Sequence, residues 1–210
     1  MKAQNKLILL TYLIALFSIG SACKKSKVDQ PAPQNTGAVL INSKEYPTVA
    51  LGSQVWTTLN YSGPDGIVYD TLGKKPEYGK YYTFEEIKAI HLPEGWRLPN
   101  KQDYLTLAQH QGITFTGSRA TNQQAIKKLA STTNWRSISG TNTSGFNAQP
   151  GGYSLRNQPP LDGDIAEFWT VNGETFSIQE SADGKTHNAS FYGYGNGPEY
   201  RFNVRFVRSK

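Results

Sequence analysis

The chain has one cysteine, Cys23, so no disulfide can form within it. Whatever it folds into must be held without an internal covalent cross-link between cysteines. Ahead of Cys23, Lys2 and Lys6 introduce an apolar run from Leu7 to Ile19, interrupted only by Thr11 and Ser18. That run is about 13 residues, whereas a helix needs roughly 20 to cross a bilayer. It fits the apolar core of a secretory leader instead, and the small residues Gly20-Ser21-Ala22 suit cleavage behind it. Export leads to an oxidising compartment, where an unpaired thiol is a liability.

Acylation would consume that thiol. Gly20-Ser21-Ala22-Cys23 resembles the lipobox of bacterial lipoproteins, with one departure: Gly20 stands where that group usually has leucine or a similar apolar residue. The resemblance implies a leader over residues 1–22, lipidation of Cys23, and a partner in the membrane reached through that lipid. Stable anchoring takes more than one acyl chain, at about 0.8 kcal/mol per buried methylene. Residues 23–37 then read as the lipidated cysteine and a flexible tether. Lys24, Lys25 and Lys27 are followed by Asp29, Pro31, Pro33 and Gly37 with no apolar period, and such a segment buries too little to offset its ordering entropy. The expected location is the cell envelope, at the outer membrane, with the side it faces left open.

About 170 residues remain, from Ala38 to Lys210, enough for one domain. The chain carries 22 Lys and Arg against 16 Asp and Glu; without Lys2 and Lys6 the balance is 20 against 16, or +4. A mild excess spread along the chain serves solubility and argues against a nucleic-acid partner.

The pattern predicts strands at both ends and helices between them. Ala38–Ile41, Tyr46–Leu51 and Gln54–Leu59 read as strands, the last two joined by a tight turn at Gly52-Ser53. Pro64-Asp65-Gly66 marks another turn before Ile67-Val68-Tyr69. Thr83 and Glu86 have capping-box spacing for a helix that Pro93 ends, and Asn100 caps a second helix with Asp103 near its positive end. A third helix is expected over residues 122–130. Ile165–Val171, Thr175–Gln179 and a strand through Ala189, Phe191 and Tyr192 form a meander about Asn172-Gly173 and Asp183-Gly184. From Tyr200 to Val207 apolar residues alternate with Arg201, Asn203 and Arg205, which predicts one strand with its second face toward polar surroundings.

Five segments, in order, resemble the Fibrobacter succinogenes major paralogous domain family. They are Gly52-Ser53-Gln54-Val55-Trp56 with Leu59-Asn60-Tyr61, Pro93-Glu94-Gly95-Trp96-Arg97-Leu98-Pro99, Ser144 through Tyr153, Ala166-Glu167-Phe168-Trp169-Thr170, and Phe202 through Arg208. The resemblance spans about Ala38 to Lys210. It implies an α+β fold related to C-type lectins and formylglycine-generating enzymes, with paired terminal strands, two to three helices and a C-terminal antiparallel meander. Relatives often carry a cysteine before the Pro-x-Gly-Trp turn and another in the last strand; here Leu92 and Phe206 stand there. If those two cysteines form a bridge in relatives, Leu92 and Phe206 are expected to be buried near each other in its place. Trp96 is expected to carry its indole into the core, as are Phe146, Tyr153, Trp169 and Phe206 their rings.

Little in the sequence points to catalysis or to a cofactor. A thiolate mechanism has no cysteine to use in residues 38–210. His91, His110 and His187 lack metal-ligand spacing. Ser144 beside Gly145 is not a nucleophile elbow. Asp162, Asp164 and Glu167 offer hard oxygens for calcium, although solvated carboxylates on a turn explain them more simply. In Gln149-Pro150-Gly151 the third residue, Gly151, lacks the side-chain oxygen that the sugar-binding triplet of C-type lectins has there. The expectation is therefore a non-catalytic binding or adhesion module for a glycan or an envelope protein, with Trp169, Tyr192 and Tyr194 as stacking candidates if exposed. A structural component of a surface assembly, such as a fimbria, is the alternative. A divergent enzyme of the formylglycine-generating fold comes third.

Overall fold

Twelve strands and two α-helices follow one another along the described part of the chain. The computed structural model describes residues 35–210 apart from Thr71, Leu161, Asp162 and residues 194–196. The expected leader, Cys23 and most of the tether lie outside it. The first strand, β1 (Asn35–Ile41), begins inside the stretch expected as tether. It returns as β2 (Lys44–Leu51) through Asn42-Ser43, both with positive φ. Gly52-Ser53 then turns β2 into β3 (Gln54–Thr57). A small hairpin follows, β4 (Ile67–Val68) with β5 (Lys80–Tyr81), and between its strands Pro76–Tyr78 forms a 3₁₀ turn.

Both helices begin at reciprocal capping boxes. Thr83 and Glu86 cap α1 (Phe84–Lys88), and Asn100 and Asp103 cap α2 (Lys101–His110). α1 stops short of Ile90. The third expected helix is reduced to a 3₁₀ segment, Gln124–Lys128, because the chain beyond it is drawn into a bridge between Ala130 and Ala148. The remaining strands are β6 (Arg119–Ala120), β7 (Ser154–Leu155), β8 (Ile165–Trp169), β9 (Glu174–Glu180), β10 (His187–Gly193), β11 (Tyr200–Arg201) and β12 (Val207–Ser209).

Two four-stranded antiparallel sheets result, in the orders β1-β2-β3-β12 and β6-β10-β9-β8. The fold is α+β and rich in sheet. The first and last of the described strands share the first sheet, where β12 pairs with β3, Val207 opposite Trp56 and Ser209 opposite Gln54. One apolar cluster packs α2 (Tyr104, Leu107, Ala108) against Phe168, Phe176 and Ile178 of the second sheet. The other gathers Ile41, Tyr46, Tyr61, Tyr82, Trp169 and Phe206. Leu92 packs, half-buried, against this second cluster, which contains the fully buried Phe206. Trp96 is also half-buried at its margin, not carried into the core as expected, with Arg208 over its ring at 5.6 Å.

The expected strand from Tyr200 to Val207 is not one strand. Tyr200–Arg201 pairs with β7, Phe202 bridges Tyr82, Asn203 bridges Phe168, and Val207 joins β3. The polar surroundings expected of its second face are protein and not water at Asn203 and Arg205, which are fully buried. Arg205 donates from Nε to Asn60 Oδ1 at 2.6 Å, from Nη1 to the carbonyls of Thr57 (2.8 Å) and Phe146 (3.0 Å), and from Nη2 to that of Asn147 (3.0 Å). Its guanidinium lies 5.1 Å from the Phe146 ring and 5.4 Å from that of Phe168. Burial lowers its pKa to about 9, which leaves it charged at neutral pH. Asn203 donates from Nδ2 to the carbonyls of Tyr78 and Lys80, both at 3.0 Å. The last segment thus joins both sheets and the β4–β5 hairpin through polar atoms that no water reaches, and each such atom left unmade would be costly.

Candidate functional site

Several turns shape the face on which the β4–β5 hairpin lies. Pro64-Asp65-Gly66 reverses the chain with positive φ at Asp65 and Gly66. Lys80 holds this turn from below, donating from Nζ to the carbonyls of Gly63 (2.9 Å) and Asp65 (2.8 Å). Asp70 shapes the next turn, where its Oδ1 accepts from the backbone N–H of Leu72 at 2.8 Å and of Lys74 at 3.3 Å. Gly79 is required where the chain re-enters, since a Cβ there would meet Asn60 and the Tyr61 carbonyl at 2.7–3.0 Å. Tyr78 is buried, Tyr69 stands edge-on to it at 5.1 Å, and Lys75 Nζ lies 5.1 and 4.9 Å from the two rings.

The opposite wall is the turn after β7. Arg156 and Asn157 both have positive φ, and the turn closes through Gln158 N–H to the Leu155 carbonyl (3.0 Å) and Ser154 Oγ to the Gln158 carbonyl (2.8 Å). Arg201 fastens it to α1, donating to Asn157 Oδ1 at 2.7 Å and to Glu86 Oε2 at 2.6 Å. Burial alone would raise the pKa of Glu86, but the donors from Arg201 and Thr83 outweigh it and hold the carboxyl below its usual range. Tyr81, at the end of β5, fastens the hairpin to the segment ahead of β7, its hydroxyl donating to the Gly151 carbonyl at 2.6 Å.

Between these walls runs a groove of about 610 Å³, lined by Val68, Tyr69, Asp70 and Lys80 on one side and by Asn157, Gln158 and Pro159 on the other. Val68, Tyr69, Asp70 and Lys80 also line a smaller depression of about 210 Å³, which reaches Lys44 and Lys75. Beyond Gln158 and Pro159 lies a further hollow of about 610 Å³ beside Tyr153 and Arg156. Rigid turns, half-buried tyrosines and amide and ammonium donors at the rim can hold a ligand rich in hydroxyl groups, because ring faces pack on its C–H surface while donors read its oxygens.

The residues singled out from sequence do not gather here. Trp169 is fully buried, its indole N–H donating to the Tyr82 carbonyl at 2.7 Å and its ring edge-on to Phe202 at 4.7 Å. It has no face to offer a sugar, which corrects its candidacy; β8 is covered on both sides. Tyr192 stands half-buried on β10 and lines none of these depressions. Tyr194, Asp162 and Cys23 lie outside the described residues. The proposed calcium ligands have other partners: Asp164 pairs with Arg136 at 3.1 Å, and the fully buried Glu167 accepts from Thr175 Oγ1 at 2.5 Å. Among the described residues no group of three or more His, Cys, Asp or Glu is arranged to hold a metal. His110 ends α2, His91 is exposed, and His187 is buried on β10 against Trp135. Sequence reasoning missed Tyr69, Lys80, Asn157 and Gln158, whose only local signals are turn residues nearby.

No curated protein and no solved structure matches the chain. The model of the Fibrobacter succinogenes major domain matches residues 49–208, from β2 through β12 and including both walls of the groove. With most of its length matched in this way, the chain belongs to the Fibrobacter succinogenes major domain family.

Proposed function

We propose that this chain is a non-catalytic lipoprotein of the cell envelope, held by acylated Cys23, whose C-type-lectin-like domain binds a glycan in the groove between the β4–β5 hairpin and the turn at residues 156–159. The observation that carries this reading is the groove itself. Tyr69 lies within it, Lys80 is fixed at its rim by two carbonyls, and Asn157 and Gln158 face them from a turn bolted to α1. Walls set before a ligand arrives reduce the entropy lost on binding. A glycan array probed with the chain from Lys24 onward tests it. Binding should appear on a subset of glycans and be lost in Tyr69→Ala without a large fall in melting temperature. An empty array, or binding untouched by Tyr69→Ala, would refute the site.

One observation favours the second reading, a structural part of a surface assembly. Strand β1 pairs with β2 only, and among the described residues its other edge has no backbone partner. Asn35–Ile41 contains neither charge nor proline, and Leu40 is 59% exposed. Unblunted edges of this kind invite pairing with another strand. Concentration-dependent self-association abolished by Leu40→Lys would support it, and a chain that stays monomeric at high concentration would count against it.

A further inference from the structure

We infer that the ligand of this groove is an acidic glycan, one carrying carboxylate or sulfate groups; this rests on the glycan reading above and names its ligand class. The inference starts from charge. Among the described residues, four cations line the groove and its two adjoining depressions, namely Lys44, Lys75, Lys80 and Arg156, and the only carboxylate among them is that of Asp70. Asp70 is already engaged by the N–H groups of its own turn. In the groove itself Lys80 is balanced by Asp70, and the positive excess comes from Lys44, Lys75 and Arg156 in the adjoining depressions, whose summed field reaches whatever enters between low-dielectric walls.

Two of these cations are positioned for it. An ammonium has three N–H donors. Lys80 commits two, to the carbonyls of Gly63 and Asp65, so its charge is fixed at the border of both depressions with one donor left over. Lys44 uses one, on Ser62 Oγ at 2.5 Å, with its Nζ 5.7 Å from the Tyr46 ring. Neither forms an ion pair with a carboxylate of the described residues. Some cations elsewhere do pair, Lys88 with Glu85, Lys101 with Glu174, Arg136 with Asp164 and Arg201 with Glu86, so what sets Lys44 and Lys80 apart is their place beside the groove. Fixed ammonium groups facing neutral partners suit a ligand that brings the negative charge. A repeating acidic sugar does so while offering hydroxyls to Asn157 and Gln158 and a C–H face to Tyr69.

The test is calorimetric titration of the chain from Lys24 onward with matched probes: oligogalacturonate against its carboxyl-reduced form, and heparin oligosaccharide against its desulfated form. At least one acidic probe should bind more tightly than its neutralised counterpart by about tenfold or more, since one charge-assisted contact contributes roughly 1.5–3 kcal/mol. That advantage should shrink as salt is added. Lys80→Gln should remove about the same factor, and Lys185→Gln, on the β9–β10 turn, should not. Because Lys80 also holds a turn, Lys44→Gln serves as a second variant whose exposed side chain can be lost without unfolding the domain. If each pair of probes binds equally and both lysine variants are silent, the acidic preference is wrong while the glycan groove stands. If no probe binds and the glycan array is also empty, the glycan reading itself falls. Binding to vesicles of phosphatidylcholine and phosphatidylglycerol in equal parts, with no binding to either acidic probe, would assign these cations to a lipid surface and overturn the inference.

Discussion

Replacing Arg205 should damage this fold more than replacing any surface cation. Its guanidinium is fully buried and makes four hydrogen bonds, all to neutral oxygens. Among the described residues no carboxylate pairs with it, so its stability depends on those bonds and on the faces of Phe146 and Phe168. Lysine keeps the charge but has three donors on one nitrogen and cannot span acceptors on both sides of a planar fork. Losing two charge-assisted bonds costs about 3–6 kcal/mol, at roughly 1.5–3 kcal/mol each. For a domain of this size each kcal/mol lowers the melting temperature by about 2–4 °C. Arg205→Lys should therefore melt some 6–24 °C below the parent, by those two estimates together. Methionine fills similar space without charge and leaves the same four oxygens short of a donor, at about 1–3 kcal/mol each when buried. Relief of the guanidinium's desolvation cost offsets part of that loss. Alanine adds a cavity term of several kcal/mol, which approaches the whole stability of a typical domain, about 5–15 kcal/mol. Thermal melts followed by circular dichroism would read all three. Melting of both Arg205→Lys and Arg205→Met within about 2 °C of the parent, less than 1 kcal/mol on the same scale, would refute the view that this residue ties the last segment to β3, Asn60 and the loop at Phe146-Asn147.

Other consequences can be checked separately. His187 is fully buried, neither ring nitrogen has a hydrogen-bond partner, and burial lowers its pKa from 6.5 to about 4. The unfolded chain then binds the extra proton between those values, so stability should fall as pH drops from 6.5 toward 4, by up to about 3 kcal/mol; denaturant titrations across that range should find this loss absent in His187→Leu. A Cβ on Gly140 would lie 2.1 Å from the Ala130 carbonyl oxygen, whereas one on Gly112 meets nothing within 4 Å and is disfavoured only by φ of +80°. Gly140→Ala should accordingly destabilise by about 1–3 kcal/mol or more and Gly112→Ala by about 1 kcal/mol, as equilibrium unfolding would show. Cys23→Ser should release the protein from membranes; detergent-dependent membrane association that persists in this variant, with unchanged labelling by a fatty-acid probe, would rule out the lipid anchor.

What could be read from the sequence was local chemistry. Thr83 with Glu86 and Asn100 with Asp103 mark both helix starts because a cap is satisfied within four residues. Gly52-Ser53, Pro64-Asp65-Gly66 and Asn172-Gly173 mark turns for the same reason. The Asn42-Ser43 turn escaped notice, since a serine at φ of +62° carries no compositional signal. The alternation from Tyr200 to Val207 misled because period two says nothing about what lies opposite. Carbonyls from Thr57, Phe146 and Asn147 converge on Arg205, and those from Tyr78 and Lys80 on Asn203. Such partners, tens of residues away, make the polar surroundings expected of this face a buried polar core. Trp169 was a poor stacking candidate for a related reason, as β8 is buried from Ala166 onward on both faces. The groove itself pairs Tyr69 and Lys80 with Asn157 and Gln158, segments that no local pattern connects.

The groove between the β4–β5 hairpin and the 156–159 turn is the place proposed for a glycan to meet this domain. Amide chemical-shift mapping of the ¹⁵N-labelled chain from Lys24 onward, titrated with oligogalacturonate and heparin oligosaccharide, tests it most directly. Saturable shifts are expected at Gly66 through Asp70, Lys80, and Asn157 with Gln158, with little change along β9. Shifts centred on β1 or β10 would contradict it, as would no shift with either probe together with an empty glycan array.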